Sequence, residues 1–161
     1  MTALADPCVV FTQRVHQPHA TEHGDGPRLV ATSETTDGEF GLFEIEIGAG
    51  AGTARPHYHT GFTESFYILA GSVRLRLGAE ERVARAGDFA FVPRNAVHGF
   101  TNGSDDESAR MLILFTPGVA REDYFREIAE LYRNNDDPTP DEIDAVAARH
   151  DQINIRSGDA S

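Results

Sequence analysis

His57 and His59 stand two residues apart in His57-Tyr58-His59. Glu64 follows after a short break containing Gly61, and His98 lies far downstream. Three imidazoles and one carboxylate are a ligand set for a divalent transition metal; iron, nickel, cobalt, manganese, copper and zinc all accept such donors. No thiolate lies near them, since Cys8 is distant in the chain. On an extended strand, residues two apart point to the same side, so His57 and His59 face one way. His98 follows Gly71, Gly87 and Pro93 and belongs to a different strand. Only a chain that folds back on itself brings all four to one point.

The elements that do this read as strands. Arg28-Thr32 and Phe40-Ile47 flank Thr36-Asp37-Gly38, a hairpin signal. Phe43, Ile45 and Ile47 alternate onto one face. Phe66-Leu69, Val73-Leu77, Arg82-Ala84, Phe89-Val92, Gly99-Thr101 and Met111-Thr116 follow, with Gly71, Gly78 and Gly87 at the turns. Many short strands with glycine turns predict an antiparallel sandwich or barrel. After Pro117-Gly118 the period changes. Tyr124, Phe125, Ile128, Leu131 and Tyr132 recur at helical spacing. Thr139-Pro140-Asp141-Glu142 then reads as a capped start of a second helix running to about His150. The aromatic stripe is expected to pack on the barrel or on a partner subunit. His150 reads as a favourable charge at a helix C-terminus.

Composition narrows the chemistry. The chain has 161 residues, a net charge of −12 and 14 basic residues, every one of them Arg. Without lysine there is no Schiff base, no pyridoxal anchor and no phosphate-loop lysine. The acidic balance disfavours nucleic acid, whose phosphates need clustered basic residues. No apolar run approaches a membrane span. Met1 to Val10 lacks a basic region before an apolar stretch, so no leader is read there. The single Cys8 excludes an internal disulfide and fits a reducing, cytoplasmic setting. His16, His19 and His23 in the first loop fit no familiar ligand spacing and read as solvated.

Two segments carry a family resemblance. His57-Tyr58-His59-Thr60-Gly61-Phe62-Thr63-Glu64, with Gly71 beyond it, resembles the first motif of the cupin superfamily. Gly87-Asp88-Phe89-Ala90-Phe91-Val92-Pro93, then His98 and Asn102, resembles the second. The interval 72 to 86 is short, as in single-domain bacterial cupins. Ala51 and Asn95 stand where the family usually has glycine; Gly50 and Gly52 flank the first, and Asn tolerates a left-handed backbone. The resemblance implies an all-β fold, the double-stranded β-helix or jelly-roll barrel, with a C-terminal helical extension. The expected division is an N-terminal segment 1–27, a barrel 28–118 and an extension 119–161 packed on the barrel.

The tail after the barrel resembles quercetin-dioxygenase-like monocupins. That likeness implies His57, His59, Glu64 and His98 as metal ligands with one or two positions left open, and Glu64 as ligand and catalytic base. The activity implied is a metal-dependent dioxygenase acting on an aromatic, flavonol-like or enolisable small molecule. The same ligands also suit a cyclase, isomerase or decarboxylase, and a non-catalytic small-ligand binder is a further reading. Phe43, Ile45, Tyr58, Phe62, Phe66 and Phe100 are the expected pocket lining, although a barrel core needs the same residues. A homodimer is expected, with Val9-Phe11 adding a strand to a neighbour's sheet edge.

Overall fold

The period-two pattern of Val73-Arg74-Leu75 puts alternate residues on opposite faces, and in the computed structural model Val73 and Leu75 are buried while Arg74 and Arg76 are exposed. The structure describes residues 10–24, 26–52 and 55–156. The strands are β1 (Arg28–Ala31), β2 (Gly41–Ile47), β3 (His57–Tyr58), β4 (Thr63–Ala70), β5 (Ser72–Leu77), β6 (Glu80–Arg85), β7 (Phe89–Val92), β8 (His98–Asn102) and β9 (Ala109–Thr116). Helices α1 (Arg121–Asn134) and α2 (Pro140–Arg149) and the short β10 (Ile153–Asn154) follow.

They form two antiparallel five-stranded sheets, in the orders β1-β2-β9-β4-β7 and β10-β3-β8-β5-β6. Phe43, Phe66, Ile68, Val73, Met111, Ile113 and Phe115 fill the space between them. Phe43 and Phe115 meet edge to face at 5.2 Å, an arrangement aromatic quadrupoles favour. The all-β barrel with a helical extension is therefore the observed fold.

Turn chemistry explains the corners. Gly71 has φ +69, and a Cβ there would lie 2.5 Å from Ser108 O, so only glycine fits. Asn95 takes φ 66 in place of the usual glycine. Asn102 ties the end of β2 to the β8–β9 loop: its amide nitrogen donates to Ile47 O, Gly48 O and Glu107 O at 2.8–3.0 Å. Thr139 and Glu142 form the expected capping box on α2.

Three local expectations need correction. The Asp-Gly turn between the antiparallel β1 and β2 does form, with Asp37 and Gly38 at φ 52 and 79 and Glu39 N donating to Thr36 O, but it sits inside a longer loop, 32–40, than the expected strand ends allow. β3 and β10 are two-residue strands, too short for any periodic signal. Val10 and Phe11 are exposed and belong to no strand, while Val9 and Cys8 lie outside the described residues. Among the described residues, no helix is long and apolar enough to cross a membrane.

Candidate metal centre

Sheet pairing assembles the four residues. His57 on β3 lies directly opposite His98 on β8. His59 follows β3 on the same side, and Glu64 projects from β4 in the other sheet. All four side chains are buried, and their ligand atoms lie within 4.8 Å of one another. No other described group of three or more His, Cys, Asp or Glu side chains comes together in this way; the His16, His19 and His23 loop forms none.

Each imidazole is oriented by a backbone carbonyl. His57 Nδ1 lies 2.6 Å from Arg55 O, His59 Nδ1 2.6 Å from Asp151 O and His98 Nδ1 2.9 Å from Ala96 O. A carbonyl can only accept, so each Nδ1 donates, which leaves each Nε2 for the cluster; those of His59 and His98 lie against Glu64. This outer layer fixes the tautomer a metal needs. His59 also stacks on Phe62, with ring centroids 4.2 Å apart.

The centre needs a positive charge. His98 Nε2 is 2.5 Å from Glu64 Oε2, so the two donor atoms converge on one point. His59 Nε2 stands 3.4 Å from the same oxygen and, though buried, has no hydrogen-bond partner. Burial, and then the nearby His98, pushes His57 down to about 3, so it is neutral at neutral pH. Burial alone would raise Glu64; the His59 and His98 imidazoles outweigh it and hold the carboxylate below its usual range. Three imidazoles with Nδ1 tied to backbone, a carboxylate held below its usual range and an unpartnered His59 Nε2 are the donor set of a divalent cation. The residues fit the group.

The extension completes this region. The Asp151 carboxylate accepts from Thr60 Oγ1 at 2.6 Å, Gly61 N at 2.6 Å and Thr60 N at 3.0 Å, while its backbone oxygen holds His59. Burial opposes its ionisation; those hydrogen bonds prevail and lower its pKa. β10 pairs with β3 beside His57.

A cavity of about 210 Å³ opens against His57 and Glu64. Of the six expected lining residues, Ile45 and Phe100 face it. Phe43 and Phe66 are sealed in the core, and Phe62 lies beneath His59 beside a shallower groove. Tyr58 has opposite strand parity to His57 and points away. Much of the remaining wall comes from α1, through Tyr124, Phe125, Ile128 and Tyr132, with Ile113 of β9 and Ile143 of α2 beside them. The stripe does pack on the barrel, and in doing so it roofs the cavity. Arg121, Gln152 and Asp151 escaped the sequence reading. Arg121 had a signal: it lies three and four residues before Tyr124 and Phe125, a charge on an apolar stripe. Asp151 and Gln152 had none, because only the long-range β3–β10 pairing places them.

Residues 43–115 match the family described as Cupin domain. The chain is 31% identical over 145 residues to quercetin 2,3-dioxygenase of Bacillus subtilis, an alignment covering 84% of this chain and 41% of that protein. The chain thus spans less than half of that relative's length. A solved structure from Thermus thermophilus superposes with a TM-score of 0.53 at 24% identity, covering 66% of this chain and 96% of that one. A Klebsiella pneumoniae protein with a double-stranded β-helix domain gives 0.54 at 17% identity, covering 68% and 91%.

Proposed function

The chain belongs to the cupin superfamily and is similar to a quercetinase, and from that premise we propose that it is a metal-dependent oxidoreductase, a dioxygenase acting on an aromatic, flavonol-like or enolisable small molecule. One observation carries the reading: four buried donors, three oriented by backbone carbonyls, lie together, and two of them, His57 and Glu64, face a largely apolar cavity. His57, His59, Glu64 and His98 would hold the metal, with its identity among iron, nickel, cobalt, manganese, copper and zinc left to measurement. When bound, such a metal supplies Lewis acidity and, if redox-active, a route for electrons to dioxygen.

The chain's own residues supply the rest. Ile45, Phe100, Tyr124 and Phe125 exclude water and hold the substrate's apolar body. Glu64 takes the proton an enolisable substrate gives up, at a carboxylate oxygen. The backbone carbonyls of Arg55, Ala96 and Asp151 keep the imidazoles from turning as that proton moves. The division at residues 27 and 118 belongs to the same proposal, as does the cytoplasmic setting that the single Cys8 supports.

A homodimer is also proposed. β7 is a sheet edge, and Phe89 and Phe91 on it are 64% and 57% exposed, beside Tyr67. An aromatic edge strand is suited to meeting a second copy. Light scattering should give twice the 17.6 kDa of one chain; the single-chain mass at all concentrations refutes it.

Oxygen uptake by the metal-loaded protein, with a panel of flavonols, simpler phenols and enolisable acids, tests the activity. Uptake matched to substrate loss is expected. Substrate turnover without oxygen uptake would overturn the dioxygenase in favour of redox-neutral Lewis-acid chemistry.

A further inference from the structure

Arg121 is 4% exposed and lines the cavity that also exposes His57 and Glu64. Its Nη1 donates to His150 O at 3.2 Å and its Nη2 to Gln152 Oε1, both uncharged acceptors. Its Nε is buried without a partner. Among the described residues no carboxylate forms an ion pair with it; Glu64 and Asp151 act on it only through space. The guanidinium is held flat against Tyr124, 3.9 Å from the ring centroid. Burying a cation without a counter-ion is costly. A purely structural arginine would be better served by a carboxylate at position 152.

The charge around the cavity points the same way. The whole chain carries −12, yet the ionised side chains lining this cavity are two arginines, Arg55 and Arg121, against the single carboxylate of Glu64. Glu64 is already engaged with His59 and His98. Size is a second limit. A volume of about 210 Å³ lies below the roughly 300–1,000 Å³ of sites for drug-sized molecules. It exceeds the roughly 150 Å³ cavity that accepts benzene.

We propose that the cavity takes a small organic anion of about one ring, with its carboxylate on Arg121, its apolar body against Tyr124, Phe125 and Ile128, and its other end toward Glu64. Arg121 is then a substrate-binding residue supplied by the helical extension, and Gln152 positions it. This rests on the reading that the cavity above the four-residue cluster is the substrate site. It sharpens the substrate from aromatic or enolisable molecules in general to single-ring carboxylates, and away from three-ring flavonols.

The test is calorimetric titration of benzoate and its neutral isostere benzamide, on metal-loaded and chelator-treated protein at one fixed ionic strength. Benzoate should bind both forms about tenfold or more tightly than benzamide. Arg121→Gln should remove that preference and Arg121→Lys should retain most of it. Gln152→Glu, nearly isosteric and so expected to fold, places a carboxylate against Arg121. It should remove the preference as fully as Arg121→Gln. Equal binding of the two probes, or binding of neither, overturns the proposal. A benzoate preference seen only with metal and unchanged in Gln152→Glu also overturns it, by assigning the anion to the metal. If the preference behaves as expected and no oxygen is consumed with any substrate, the dioxygenase reading fails and the anion site stands.

Discussion

The barrel and the C-terminal extension contribute to one site by different physics. The barrel supplies the ligands. Strand parity and the β3–β8 register bring His57, His59 and His98 to one face, and the opposite sheet presents Glu64. The extension supplies no ligand but holds the ligand loop and builds the cavity wall, through Asp151 on Thr60 and Gly61 and through Tyr124, Phe125 and Ile128. The candidate donors lie within the matched domain, residues 43–115, and the cavity beside them is walled in part by an element outside it.

If that division is right, damage to each part should have its own signature. The largest effect belongs to the barrel core. Phe66 is fully buried between the sheets, and Phe66→Ala should cost about 3–5 kcal/mol in chemical denaturation. A loss under about 1 kcal/mol would mean that the two sheets do not share this core.

Glu64→Gln comes next, and it separates chemistry from binding. It keeps the shape and an oxygen donor but removes the charge. Bound metal should fall modestly with three histidines left, while turnover per bound metal falls about 100-fold or more. An unchanged ratio would make Glu64 a ligand only.

Asp151→Asn probes the extension's hold on the site without touching a ligand. Asn accepts the left-handed backbone at φ 52 but cannot accept all the hydrogen bonds from Thr60 and Gly61. The expected cost is about 1–3 kcal/mol at neutral pH. The folded-state pKa of Asp151 is lowered, so its contribution is complete above the unfolded carboxylate value and disappears as pH falls through the folded one. Parent and variant stabilities should therefore converge below about pH 4. A difference that stays constant as pH falls well below about 4 would show that the carboxylate's charge is not what matters.

The smallest effect belongs to the far end of the extension. Thr139→Ala removes the capping box of α2 and should cost about 1 kcal/mol in thermal unfolding, with metal content unchanged. Loss of metal would show that α2 and the centre are coupled more tightly than the contacts indicate.

The same contrast explains what could be read from sequence. Glu64 and His98 were legible only through the motif resemblance, but the pairing of His57 with His59 was legible because strand parity is local: they share a side whatever lies around them. The capping box on α2 and the left-handed Asn95 were legible for the same reason, each being decided within a few residues. The cavity was not. Phe43, Ile45 and Phe66 share the barrel interior, but only Ile45 faces open space, because helix α1 leaves its gap there and packs Phe125 onto Phe43 at 6.0 Å. Gln152 and Asp151 reach the site through a two-residue strand paired across most of the chain, which no local pattern announces.

The central claim is that His57, His59, Glu64 and His98 are one metal centre. Elemental analysis of protein produced in metal-supplemented medium, beside the His57→Ala/His59→Ala variant, tests it most directly. The expected result is close to one transition-metal ion per chain in the parent and almost none in the folded variant. A metal-free parent, or a variant that keeps its metal, would contradict it.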